Sequence, residues 1–170
     1  MIYKPAIAQK APIKIGQQID VSAYQEVYGF SFNLAAKTAI DYINANGGIA
    51  GRQVEYILED TASDLPMAVR KFRRLVETHG CDYIVGDVNS AIDLATVPVA
   101  KELKTIYWPQ GESSAVTGAK SNRYVFRMRQ HSAIQGKAAV DYAIKNLGKN
   151  FYFIITDYAY GQAFVNDLAP

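Results

Sequence analysis

The sequence has very little cysteine and histidine and no long hydrophobic run. Its 170 residues include one cysteine and two histidines, so an intramolecular disulfide is excluded and a closed zinc site is not expected. No apolar run approaches the roughly 18 residues that a membrane-spanning helix requires. A net charge of +2 is too small to indicate nucleic acid or a membrane surface as a partner. What remains is an average globular composition, 49% hydrophobic and 20% charged.

Motifs for nucleotide binding and nucleophilic catalysis are missing as well. The sequence contains no Walker A motif and no G-x-S-x-G elbow. Gly47, Gly48 and Gly51 follow a predicted helix and precede a strand, which is the reverse of a dinucleotide fingerprint. Glu59 and Asp60 are adjacent at a strand end, so we expect their side chains on opposite faces of the sheet. We therefore predict no catalytic residues, no cofactor and no metal site.

Residues 1–12 are predicted to form a leader outside the fold. Ala6-Ile7-Ala8 has the small-x-small form of a secretory cleavage site. Only Met1 to Pro5 precede it, whereas a signal peptide needs an apolar region of about 7–15 residues. A chance pattern and a trimmed signal both remain open.

Short apolar runs then alternate with segments of helical spacing. We predict six strands, at residues 13–18, 54–58, 83–85, 105–108, 124–128 and 151–156, separated by amphipathic helices. The last strand is apolar on both faces, as in a buried parallel strand. Pro98 lies within a helical stripe, so we expect a kink or a late helix start there. Because parallel strands need helical crossovers, the predicted fold class is α/β, with a doubly wound parallel sheet.

Ligands of such sheets bind at the carboxyl ends of the strands. Ser90 follows the third strand, where its hydroxyl and the free N–H groups of a helix N-terminus would favour a carboxylate. Alternatively, Ser90 or Asn89 is only an N-cap. After the fourth strand, Gly111 permits close backbone approach within a polar loop. Aromatic side chains in the remaining strand-end loops either cover a ligand or pack internally, namely Tyr28, Tyr158 and Tyr160.

One segment carries a specific resemblance. Residues 43–52, INANGGIAGR, resemble the I-N-x-x-G-G-I-x-G-R segment of type I periplasmic binding proteins, the leucine/isoleucine/valine-binding family of ABC importer receptors. The resemblance continues in the family's order over residues 13–168. The runs SNRY at 121–124 and DYAYG at 157–161 are most similar to the subgroup that handles amino acids and aromatic or other hydrophobic acids.

This resemblance implies a first α/β lobe at residues 13–128 and an incomplete second lobe at 129–170, with a ligand bound between the lobes. It implies a non-catalytic, exported receptor that binds an amino acid or another small carboxylate, aromatic acids included, for the membrane permease of an ABC importer. Carried over by position, Asn89 and Ser90 would bind the ligand carboxylate. The other residues implied to line the cleft or meet the ligand are Tyr28, Gly111, Glu112, Ser113 and Tyr160.

Two departures from the family pattern matter. Glu112 stands where the family often has a small residue or Ser/Thr, so it either selects a cationic group or points away from the pocket. The family is more than twice as long, so we expect a fragment whose exposed apolar faces favour self-association. An effector-sensing domain of a regulator or receptor with the same fold remains an alternative. A flavodoxin-like nucleotide binder would need a glycine-containing phosphate loop after the first strand, and residues 17–23 contain no glycine.

Overall fold

The computed structural model describes residues 11–168, so the predicted cleavage site at residues 6–8 lies outside the described residues. The principal elements follow one another as β1 (Ile13–Ile19), α1 (Glu26–Ala45), β2 (Val54–Asp60), α2 (Leu65–Arg73), β3 (Tyr83–Val85), α3 (Ser90–Leu103), β4 (Ile106–Trp108), α4 (Ser132–Asn146) and α5 (Ala159–Leu168). A short π-helical turn, Arg74–Thr78, extends α2, and a 3-10 turn, Ser114–Val116, follows β4. The predicted α/β class is confirmed.

The four strands form a parallel sheet in the order β2-β1-β3-β4. From β1 the chain moves outward to β2, and it then returns across β1 to β3 and β4. Right-handed crossovers therefore place α1 on one face of the sheet and α2 and α3 on the other. The reversal lies between β1 and β3, so the carboxyl ends of these two strands flank the topological switch point, where ligands of such sheets bind.

The helix boundaries follow from the capping residues. Helix α1 ends at Ala45 with Asn46 as its C-cap, and the next two residues, Gly47 and Gly48, have positive φ angles of 93° and 77°, as is typical of a helix end. Asp64 caps α2 by accepting a hydrogen bond from the Met67 N–H, with Pro66 in the first turn. Asn89 caps α3 by accepting from the Ala91 N–H.

The main core lies between the sheet and the α2–α3 layer. Phe72 and Tyr107 are both fully buried and pack edge to face, with ring centroids 5.2 Å apart. Cys81 is buried in the same cluster, and burial raises the pKa of its thiol to about 11. The α1 face is covered far less, and Val27, Phe30 and Leu34 are exposed.

Two predicted strands are wrong. The fifth strand, residues 124–128, is reduced to a single bridge between Val125 and Tyr107. The sixth, residues 151–156, is not a strand, because no strand among the described residues pairs with it. It is also exposed rather than buried. Of the two outcomes expected at Pro98, the late helix start is not found, because Asn89 caps α3 at Ser90 and the helix continues through Pro98 to Leu103.

Candidate functional site

A cavity of about 260 Å³ opens at the carboxyl ends of the strands. One wall comes from the start of α1 and from the loops after β3 and β4. The opposite wall comes from the segment before α4 and from the start of α5. The lining residues are Gln25, Tyr28, Phe32, Val88, Gln110, Glu112, Arg129, Tyr158 and Tyr160. The cavity therefore lies where an open parallel sheet binds its ligands.

Glu112 and Arg129, which both line the cavity, form an ion pair. The Glu112 carboxylate accepts hydrogen bonds from the Arg129 guanidinium and, at 2.8 Å, from Nε2 of Gln135. Arg129 also donates to the Gln110 carbonyl at 3.3 Å. Its guanidinium carbon lies 5.6 Å from the centroid of the Phe32 ring, which is cation–π distance. Glu112 therefore lines the cavity with its charge compensated by a cation.

Aromatic rings supply most of the remaining surface. Tyr28 is 62% exposed, and Phe32 lies one helical turn further along α1. On the opposite wall the rings of Tyr158 and Tyr160 are 6.2 Å apart, and the Tyr160 hydroxyl donates to Oε1 of Gln135 at 2.9 Å. Burial raises the pKa of Tyr158 to about 12. Burial also raises the pKa of Tyr160, so the phenols of Tyr158 and Tyr160 stay neutral near pH 7 and can both donate and accept hydrogen bonds.

The predicted site residues fall into two groups. Tyr28, Glu112 and Tyr160 line the cavity, whereas the other four have polar groups bonded within the protein. Nδ2 of Asn89 donates to the Tyr24 hydroxyl at 2.8 Å, while its Oδ1 caps α3. The fully buried Ser90 hydroxyl accepts from the Ser113 N–H at 3.0 Å. The Gly111 N–H donates to Oδ2 of Asp93 at 2.7 Å. These four residues hold the loops that carry the cavity wall.

Two aspartates support these loops. Asp87, after β3, accepts from the Thr61 hydroxyl at 2.5 Å and from the Asn89 N–H at 2.9 Å. Burial nevertheless raises the pKa of Asp87 to about 6, because desolvation disfavours its ionised form. Burial also raises the pKa of Asp93 well above its usual range.

Arg127 holds the loop after β4 by donating to the carbonyls of Gly111 at 2.8 Å and Ser113 at 2.7 Å. Sequence reasoning missed Arg127, Arg129 and Gln135 as contributors to this region. The available signal was the spacing of the two arginines in an extended segment, because side chains two residues apart point to the same side. Gln135 carries no comparable signal in the sequence.

Glu59 and Asp60 lie next to each other at the end of β2. Glu59 is paired with Arg74 at 3.3 Å, while the Asp60 carboxylate accepts from the Ser22 hydroxyl and the Val21 N–H. The two adjacent carboxylates therefore have separate partners. Among residues 11–168, no group of three or more Asp, Glu, His or Cys side chains could hold a metal ion.

No helix in the same range is long and apolar enough to cross a membrane.

Comparison with known proteins agrees with this arrangement. A family model described as a periplasmic binding protein matches residues 12–169. A leucine/isoleucine/valine-binding protein homologue of Brucella abortus is 28% identical over 141 residues, which cover 82% of this chain and 34% of the relative. The chain thus spans about a third of that protein's length.

Solved structures agree with the sequence relatives. A branched-chain amino acid transporter substrate-binding protein from Streptococcus pneumoniae, in complex with isoleucine, is 28% identical with a TM-score of 0.73, covering 80% of this chain and 39% of that one. An ABC transporter solute-binding protein from Rhodopseudomonas palustris, in complex with 3,4-dihydroxybenzoic acid, is 25% identical with a TM-score of 0.82. The match covers 92% of this chain and 42% of that protein. Because the family model spans nearly the whole chain, the chain belongs to the leucine/isoleucine/valine-binding family of type I periplasmic binding proteins, which are exported solute-binding receptors and not enzymes.

Proposed function

We propose that the chain is the ligand-binding part of an exported ABC importer receptor, and that an amino acid or a small aromatic carboxylate occupies the cavity at the strand ends. The observation that carries this proposal is the Glu112–Arg129 pair set among the rings of Tyr28, Phe32 and Tyr160. A ligand with a charged head and an apolar body fits both features.

The polar head belongs at the ion pair. The Arg129 side chain is about one-third exposed, so a ligand can reach a guanidinium that already bonds Glu112. A carboxylate would share the Arg129 donors, and an ammonium group, where the ligand has one, would bind Glu112. The apolar body would then lie against the aromatic walls, where its burial supplies affinity without any chemical step.

The relatives support the same ligand classes. The Streptococcus pneumoniae protein holds isoleucine and the Rhodopseudomonas palustris protein holds 3,4-dihydroxybenzoic acid, both small carboxylates with an apolar body. The predicted carboxylate contacts of Asn89 and Ser90 stay predictions, since both side chains are bonded within the protein. Delivery to a membrane permease and a periplasmic or extracellular location are parts of the same proposal.

Calorimetric titration of the chain with phenylalanine, isoleucine and 4-hydroxybenzoate tests this function. Arg129→Met is expected to weaken binding of the preferred ligand by about tenfold or more, because a charge-assisted hydrogen bond is lost. Arg70→Met is the matched control, since Arg70 is exposed on α2 and does not line the cavity. Equal affinity in the Arg129 variant, or no binding of any of the three ligands, would contradict the proposal.

A further inference from the structure

The cavity at the strand ends has one negative and one positive side chain in its wall. Of the residues that line the cavity, only Glu112 and Arg129 are charged, and they form an ion pair. Their side chains are 20% and 32% exposed, so a ligand can reach both. The two charges compensate each other, and the charge that a ligand brings therefore decides whether the site stays neutral.

A carboxylic acid and an amino acid differ in this respect. A lone carboxylate on Arg129 would share its cation with the Glu112 carboxylate, which leaves one negative charge without a partner. Like charges that share a partly buried site disfavour each other. A zwitterion brings one charge of each sign. Its carboxylate can bind Arg129 while its ammonium group binds Glu112, so every charge has a partner.

The guanidinium of Arg127 does not provide a second anchor for an anion. It donates to the Thr117 hydroxyl at 3.0 Å and to the carbonyls of Gly111 and Ser113. Each of its three nitrogens makes one of these contacts, and Arg127 does not line the cavity. A ligand carboxylate therefore has no alternative to Arg129 among the cations of this region.

The cavity lining also has acceptors that lack a donor. Gln25 lines the cavity and is only 6% exposed, and its Oε1 is buried with no hydrogen-bond partner among the described residues. Each Glu112 carboxylate oxygen accepts one hydrogen bond, from Arg129 or from Gln135, although such an oxygen has room for about two. Buried acceptors without donors cost free energy. An ammonium group supplies N–H donors, whereas an ionised carboxylate supplies none.

The Glu112 carboxylate is held in place from the opposite wall. Nε2 of Gln135 donates to it at 2.8 Å, and Oε1 of Gln135 accepts from the Tyr160 hydroxyl at 2.9 Å. Arg129 is fixed in turn by the Gln110 carbonyl. The two charged groups are therefore positioned before a ligand arrives, which lowers the cost of ordering them on binding.

We propose that Glu112 is the specificity-determining residue of this cavity, and that it selects zwitterionic amino acids over carboxylic acids without an ammonium group. This inference rests on the proposed function, because it requires a ligand whose carboxylate binds Arg129. It adds the ligand class and the residue that sets it. Discrimination comes from repulsion of the wrong class as well as from attraction of the right one.

Calorimetric titration of the whole chain with matched ligand pairs tests the proposal. Phenylalanine is compared with 3-phenylpropanoate, and isoleucine with 3-methylpentanoate, so that the members of a pair differ only in the ammonium group. The amino acid should bind about tenfold or more tightly than its acid. Glu112→Gln should weaken amino acid binding about tenfold without weakening the acid, so the preference is lost. Glu77→Gln is the matched control, since Glu77 is exposed and does not line the cavity.

The outcomes separate this inference from the proposed function. Acids that bind at least as tightly as their amino acids would overturn the inference and leave the proposed function standing. A preference for amino acids that persists in Glu112→Gln would also overturn it, because another residue would then recognise the ammonium group. If no amino acid and no acid binds, the proposed function fails and the inference fails with it. Far-UV circular dichroism checks the fold of each variant, and the comparison within a pair on the unaltered chain needs no variant.

Discussion

The phenolic oxygen of Tyr107 lies 2.5 Å from Oδ1 of Asp93, and both side chains are fully buried. Tyr107 lies on β4 and Asp93 on the first turn of α3, so this bond ties the helix to the sheet directly below the loop that carries Glu112. The second oxygen of Asp93 accepts from the Gly111 N–H. One buried carboxyl group thus fixes both the core and the base of the cavity wall.

Removal of this carboxyl group should destabilise the protein. Asp93→Ala leaves the Tyr107 hydroxyl and the Gly111 N–H without their acceptor, and we expect the free energy of unfolding to fall by about 2–4 kcal/mol. Asp93→Asn keeps one acceptor and should cost less than half as much. Urea denaturation followed by circular dichroism measures both values. Equal losses in the two variants would contradict this, because they would show that the amide cannot replace the carboxyl group and that the lost side-chain volume adds little.

Stability should depend on pH through Asp87. Its pKa is about 6 in the folded protein against 3.8 for the free group, because burial disfavours the ionised form. The folded state therefore binds the proton more tightly, so this contribution is complete below about pH 4 and is lost as the pH rises through about 6. We expect a loss of about 1–3 kcal/mol across this window.

Asp87→Asn removes the titrating group and should flatten this part of the pH profile. Asp93, whose pKa is also raised, contributes with the same sign and remains in the variant. The pKa values of Asp20 and Asp60 are lowered despite the opposing effect of their burial, because hydrogen bonds stabilise both carboxylates, so their contribution is lost only below about pH 4. Urea midpoints measured from pH 4 to pH 7 provide the test. An unchanged slope in the variant would contradict the assignment to Asp87.

Asp167 should hold α5 against the rest of the chain. Its carboxylate accepts hydrogen bonds from the Ser114 hydroxyl at 2.9 Å and from the Ser132 hydroxyl. Asp167→Ala is therefore expected to increase hydrogen exchange of the α5 amides by about tenfold, while β1 and β2 keep their protection. Asp141→Ala, an exposed residue of α4, serves as the control. Equal protection in the two variants would contradict a role for this contact.

The predicted role of Ser90 separates two models of ligand binding. If its hydroxyl binds the ligand carboxylate, Ser90→Ala should weaken binding by about 1–3 kcal/mol. If Ser90 only supports the loop through the Ser113 N–H, the variant should lower stability with little change in affinity. Calorimetric titration and thermal unfolding of the same variant distinguish these results.

Much of the fold could be predicted because its signals are local. The periodicity of apolar residues located β1 to β4 and all five helices, and the residues of β3 coincide with the prediction. The periodicity of apolar residues does not show whether a strand pairs with a neighbouring strand. Residues 151–156 have the composition of a buried strand, yet pairing needs a neighbouring strand, and the described residues contain none at that place.

For the candidate site, the lining residues could be anticipated from the sequence, whereas the contacts between them could not. The family resemblance implied Tyr28, Glu112 and Tyr160 as cleft residues, with the direction of Glu112 left open, and all three line the cavity. The partners of Glu112 were not predicted, since Arg129 and Gln135 lie 17 and 23 residues away along the chain. Residues so far apart along the chain form no recognisable sequence motif.

By itself, the sequence determined the fold class and the edge of the sheet where the cavity opens, because helix and strand periods are visible in neighbouring residues. Only the tertiary structure decided that Arg129 compensates the charge of Glu112 and that Ser90 is buried against Ser113. It also decided that, within residues 11–168, Phe151 to Ile155 make no backbone hydrogen bond. These outcomes depend on contacts between distant parts of the chain, which form only when the helices and strands pack.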